Sequence, residues 1–358
     1  MRAFVPLLLV SSGLAAQAVE RADVSRAGQL RITFDPTITT WDREFTPAGR
    51  LPIGASLPAT LFVHAERRVT PVTAELGLTD RVSLRLFLPL VRVMARARLP
   101  KDSAGAALDS LLADTTYAFA PVTNTRYALR YFPGDVEIAA KLRLAGGSGG
   151  EGRSGTYAAA LAAVLRLPTG HLDSPNDLLD LPTGDHQTDL EGRLTQELTV
   201  AGHLWLNLSI RAARQRPGTR ARRVGPENVL LLRRATLATL AWDPGDYAAV
   251  DFAPMLRLDR FFAAGPTVSY FTKQRDRYTF RSPQDSIALA GRLGTPQSAS
   301  VLDAGTSERR LRFGWAMSYL GPDLEAGMSV EQTVSGLGGR VPATTVFRLV
   351  LRTWRKVF

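Results

Sequence analysis

VTAELGLTDRVSLRLFLPL, residues 72–90, is the stretch whose reading decides the fold. Val72, Ala74, Leu76 and Leu78 take one parity, against Thr73, Glu75 and Gly77. After Thr79-Asp80-Arg81 the rule resumes with Val82, Leu84, Leu86 and Leu88. Side chains of a strand point alternately to its two faces, so each half is a strand with one apolar face. For both apolar sets to share a face, the turn must hold an odd number of residues. Leu78 then faces Val82, Leu76 faces Leu84, and Glu75 faces Arg85 on the polar side. A cross-strand Glu75–Arg85 pair is the sharpest consequence.

The same rule recurs along the chain. Val136, Ile138, Ala140, Leu142 and Leu144 alternate with Glu137, Lys141 and Arg143. Leu190, Leu194, Leu198 and Val200 alternate with Glu191, Arg193 and Glu197. Thirteen segments read as strands: 30–42, 70–78, 82–93, 135–145, 156–167, 189–200, 203–213, 229–241, 247–257, 260–271, 308–319, 323–334 and 344–357. The weakest is 229–241, where Leu230, Leu231, Leu232, Arg233 and Arg234 break the alternation. A further strand is expected in 59–66 or 286–292, and a short helix over 103–113.

Such strands can form a sandwich with a dry interior or a barrel with a dry exterior in lipid. Strand length favours the barrel, because many segments reach the roughly 9–11 residues of a membrane-crossing strand. Loop sorting agrees: Thr79-Asp80-Arg81, Ala201-Gly202 and Gly321-Pro322 are short, while 94–134, 168–188, 214–228 and 272–307 are long. Aromatics such as Trp315, Tyr319, Tyr270 and Trp354 near strand ends suit an interfacial girdle. The expected fold is all-β: a single antiparallel transmembrane barrel of about 12–14 strands. Its long loops are extracellular and its short turns periplasmic.

Residues 1–18 read as a secretory signal peptide. Arg2 is the positive start, VPLLLV the apolar centre, and Ala16-Gln17-Ala18 the cleavage site. The barrel then occupies 19–358, and outer-membrane lipid is its surroundings. Phe358 ends the last strand as an assembly signal for the barrel-assembly machinery would, although Arg352 and Lys356 stand where that signal prefers apolar residues. Cysteine is absent, which excludes thiol catalysis and thiolate metal sites. The net charge of +11 need not mean nucleic acid; lipid phosphates or an anion-favouring pore explain it equally. Its densest cluster, Arg214, Arg216, Arg220, Arg222 and Arg223, reads as a solvated surface loop, with lipid phosphates as its other reading.

Three motifs carry a family likeness. Residues 75–93 hold a strand, Gly-Leu-Thr-Asp turn and Leu-Pro strand end; Gly134-Asp135-Val136-Glu137 leads to Lys141-Leu142-Arg143; and Leu165-Arg166-Leu167-Pro168-Thr169-Gly170 closes another strand. Together they resemble the outer-membrane barrels named after the MetA pathway of phenol degradation, which are related in architecture to long-chain fatty-acid transporters. The resemblance implies a transporter or channel for small, often hydrophobic molecules and supplies no catalytic residues to carry over; no enzyme activity and no cofactor are expected.

The inward parity carries Glu75, Arg85, Glu137, Lys141, Arg143, Arg166, Arg193, Glu197, Arg211, Arg257, Arg312, Glu325, Arg348 and Arg352, with Arg dominating. Two readings remain: a hydrated lumen with internally paired charges, plugged or not, and a pathway favouring anions. Other functions are weaker. His64, His171, His186 and His203 lack metal-site spacing, and the Asp-rich segment 167–192 lacks an EF-hand pattern. His203 and Ser209 share a face but lie about 20 Å apart along a strand, too far for a hydrolase pair. A structural or surface-interaction barrel, or less readily a lipid-modifying hydrolase, is the alternative.

Overall fold

The structure, a computed structural model, describes residues 20–53, 55, 62–99, 101–120, 126–127, 131–146, 156–225, 231–321 and 323–357. Twelve antiparallel strands close on themselves. They are β1 (Gln29–Phe34 and Thr37–Trp41, broken at Asp35-Pro36), β2 (Phe62–Gly77), β3 (Val82–Arg98), β4 (Val136–Ala145), β5 (Tyr157–Leu167) and β6 (Asp189–Val200). Next come β7 (Leu204–Gln215), β8 (Tyr247–Arg257), β9 (Phe262–Lys273), β10 (Glu308–Leu320), β11 (Leu324–Gly338) and β12 (Thr345–Lys356). Each pairs with its neighbours in order, and β1 pairs with both β2 and β12. Closure leaves no sheet edge, as backbone in lipid requires.

The period-two rule sets the two surfaces. Leu84, Leu88, Ile138, Leu142, Leu161 and Phe313 are each more than two-fifths exposed on the outside, while Glu137, Lys141, Arg166, Arg193 and Arg348 are buried within. The β2–β3 register is as expected: Leu76 opposes Leu84 and Glu75 opposes Arg85. The Leu78 N–H donates to the Val82 carbonyl across the turn. The register thus pairs Glu75 with Arg85, but their ion pairs reach other strands and the N-terminal segment. Arg85 lies 3.6 Å from Glu20 and 3.7 Å from Glu137, and Glu75 lies 3.6 Å from Arg31.

Above Thr70 and Leu90 the rule inverts. Val63, Ala65, Val91 and Ala95 are buried inside, and His64, Arg68, Arg92, Arg96 and Arg98 stand on the outer parity. Here the outer face of β2 and β3 is charged, and their inner face packs on a cap. That cap contains α1 (Ser103–Ala113), started by Asp102, whose side chain accepts from the Gly105 N–H at 2.9 Å. Leu108 and Leu112 of α1 pack with Trp41, Ile53, Leu178, Leu179 and Leu181.

Several expectations need correction. Residues 231–241 are not a barrel strand, and 229–230 lie outside the described residues. Leu237–Asp243 joins Gly218–Arg223 and Arg277–Phe280 in a separate three-stranded sheet at the long-loop end. Residues 62–69 extend β2, and 286–292 lie in α2 (Pro283–Leu293). The basic cluster is not a solvated loop. Arg214 and Arg216 are exposed, but Arg220, Arg222 and Arg223 are buried in that sheet. Arg220 and Arg222 both pair with Asp173, whereas Arg223 donates to Asn176 and to the Leu232 carbonyl. Arg220 also lies over Trp242 and Arg223 over Phe119. A buried carboxylate can hold two guanidinium groups where water would otherwise be needed. Trp315 sits mid-strand in β10, opposite Pro266, rather than near an end. Residues 1–18 and Phe358 lie outside the described residues.

Candidate functional site

The barrel's interior holds a cavity of about 140 Å³, bounded mainly by β1 to β4. With each water taking roughly 10–15 Å³, it has room for about ten. Ten of its lining residues are Arg or Lys and five are Asp or Glu. One wall differs: Val69, Pro71, Phe87, Pro89 and Val91 make an apolar strip along β2 and β3.

Nine predicted lumen residues line this cavity: Glu75, Arg85, Glu137, Lys141, Arg166, Arg193, Arg211, Arg348 and Arg352. They are tied across strands. Arg166 donates to Glu137 and Asp189, both at 2.8 Å, and to the Tyr247 hydroxyl at 3.2 Å. Arg193 pairs with Glu191, and Arg211 with Asp251, each at 2.5 Å. Arg352 reaches Glu325 at 3.4 Å, and Arg348 pairs with Asp35 where β1 is broken. The other five lie outside the cavity lining, among them Glu325, which pairs with Arg21 and Arg352. Arg143 and Arg312 are buried on the inner parity, and Glu197 holds Arg21. Arg257 sits at the short-turn rim, donating to the Arg260 carbonyl at 3.4 Å.

The sequence reading missed a segment that carries much of the site. Residues 20–27, ERADVSRA, run inside the barrel at its short-turn end. Arg21 bridges Glu197 at 3.0 Å and Glu325 at 2.6 Å, and stacks on Trp205. Glu20 lies 3.4 Å from Arg193. Lys141 donates to the carbonyls of Arg21 and Asp23, at 2.7 and 2.9 Å. Gly77 is fitted to this segment: a Cβ there would sit 1.9 Å from the Arg26 carbonyl oxygen. The segment has no periodicity to announce it. Pro71 and Phe87, by contrast, share the parity of Glu75 and Arg85 and were readable as lumen residues.

At the opposite end the 168–188 loop folds over β4. The Asp135 carboxylate accepts from the backbone N–H groups of Gly170, at 2.8 Å, and Asp185, at 2.7 Å. A Cβ at Gly184 would lie 2.2 Å from Asp135 Oδ2, so only glycine permits this approach. Burial pushes the Asp135 carboxyl up, and the neighbouring Asp185 carboxylate adds to this, to about 7. The cavity is therefore cationic, banded on one side by apolar wall, and bounded by chain at both ends.

No protein-family model matches the chain, and no curated protein matches it in sequence. Solved structures do. The chain is similar to the COG4313 outer membrane channel from Pseudomonas putida F1, with TM-score 0.56 and 11% identity, over 93% of this chain and 97% of that one. A TodX monoaromatic hydrocarbon channel deltaS2 mutant gives TM-score 0.38 and 8% identity, over 93% and 91%. The translocator domain of the autotransporter NalP from Neisseria meningitidis gives 0.37 and 9%, over 90% and 88%. The architecture is that of an outer-membrane β-barrel, closed by twelve strands.

Proposed function

We propose that this protein is an outer-membrane channel for small anions with an apolar body, such as aromatic or short aliphatic carboxylates. The observation that carries the reading is the cavity itself. Its cationic excess attracts an anion, and its strip of Val69, Pro71, Phe87, Pro89 and Val91 accepts the apolar remainder. The sequence motifs support placing it with the barrels named after the MetA pathway of phenol degradation. The structure it resembles at TM-score 0.56 is described as an outer membrane channel. In this reading residues 1–18 direct export and are removed, and the assembly machinery inserts the barrel using the strand that ends at Phe358.

Reconstitution into planar bilayers under a salt gradient tests this. The expected reversal potential is that of an anion-preferring pore, and liposomes should admit benzoate faster than a neutral sugar of similar size. Cation preference would remove the proposal. A second reading, a barrel that does not conduct, is favoured by the 20–27 segment and the loop cap. The variant Gly77→Ala separates the two, because its methyl group displaces the segment from the turn. Current that rises in Gly77→Ala supports a channel; no current in either form supports the closed barrel.

A further inference from the structure

Above the lipid boundary the outer face of β2 and β3 is a ladder of cations in fixed register. Arg68 stands directly opposite Arg92, His64 opposite Arg96, and Phe62 opposite Arg98. Glu66 opposes Met94 and bonds Arg68 at 2.5 Å. Among the described residues, this short face thus carries four arginines and one carboxylate. Like charges directly across an antiparallel pair disfavour each other, with Cβ atoms about 5 Å apart. The strands cannot slip to relieve this, because their inner side is packed on Leu108, Leu112 and Leu178 to Leu181.

The position of the ladder matters as much as its charge. On the same outer parity, immediately towards the short turns, stand Leu84, Leu86, Leu88, Leu90 and Val72, all exposed. Arg92 is two residues beyond Leu90, about 7 Å along the strand. An amphiphile lying against this wall therefore meets leucine along its chains and arginine at its headgroup. Exposed Tyr131 flanks the junction.

We infer that this face binds a phosphorylated, acylated lipid of the leaflet facing the long loops. Its phosphate is held by Arg68, Arg92 and Arg96, and its acyl chains lie on the leucine ladder. Arginine suits the role, since its planar fork binds phosphate oxygens in pairs and stays charged at every relevant pH. A free phosphate would use the arginines alone and leave the alignment with the leucines without purpose. The inference needs only that the barrel sits in a membrane, and is independent of what passes through it.

The test is native mass spectrometry of the detergent-solubilised full chain, titrated with diphosphoryl lipid A, its dephosphorylated counterpart and phosphatidylethanolamine. The unaltered protein should retain diphosphoryl lipid A at least tenfold more tightly than the other two. R68Q/R92Q/R96Q should lose that preference. R277Q/R281Q/R309Q, which removes as many charges elsewhere at the same end, should keep it. Unheated gel mobility confirms that both variants remain closed barrels. Equal loss in both variants, retention in R68Q/R92Q/R96Q, or full displacement by millimolar inorganic phosphate would each overturn the inference.

Discussion

Arg166 shows what single residues do in this lumen. Its guanidinium spans Glu137, Asp189 and Tyr247, with Glu191 at 3.9 Å, so one cation separates three carboxylates. Arg166→Ala leaves those acids facing one another and should cost roughly 3 kcal/mol. The temperature at which the compact gel form converts to the unfolded one should fall, and Arg166→Lys should recover only part of the loss, lacking the fork. Two aspartates make opposite predictions about pH. Asp135, held up at about 7, favours the protonated fold. Its stabilisation is complete below the ordinary carboxylate range and is lost as pH rises through about 7. Protection of the Gly170 and Asp185 amides against hydrogen exchange, corrected for intrinsic rate, should fall between pH 6 and 8, and Asp135→Asn should abolish that dependence. Burial also pushes Asp173 up, but Arg220 and Arg222 outweigh it and hold the carboxyl down at about 2. Its contribution is present above the ordinary range and lost only as pH falls towards 2. The external sheet should therefore keep its exchange protection at pH 4.

At the scale of the element, one strand records two solvents. Leu86 and Met94 both stand on the outer parity of β3, on opposite sides of the inversion. Leu86→Arg puts a charge in the lipid belt and should cost roughly 2–4 kcal/mol, whereas Met94→Arg should cost about nothing. Thermal gel-shift curves of the two variants provide the comparison. Much of this was readable in advance. The alternation of Leu84 to Leu88 with Arg85 and Phe87 fixes strand, face and partner by period alone. So does the inversion itself, since Arg92, Arg96 and Arg98 change places with Val91, Val93, Ala95 and Ala97. Reading the strand as ending at 93 hid it. The 20–27 segment and the burial of Arg220, Arg222 and Arg223 were not readable. Both depend on partners far away in sequence, Glu197 and Glu325 for Arg21, and Asp173 for the arginines. The run from Leu230 to Arg234 broke the period, and that break was itself a sign against 231–241 as a wall strand.

At the scale of the whole molecule, the seam between β1 and β12 makes the other features possible. Their pairing runs from Gln29 opposite Lys356 to Thr40 opposite Thr345, and Arg348 holds Asp35 across 313 positions of sequence. Every other wall contact joins strands that follow one another along the chain. The seam alone joins the first to the last, and its loop-closure entropy must be met before its hydrogen bonds give anything back. A curved ribbon of eleven strands would have two open edges and no enclosed cavity. Assembly is thus all-or-nothing in a temporal sense: the lumen, its cations and its apolar strip come into being together, at the moment the twelfth strand finds the first.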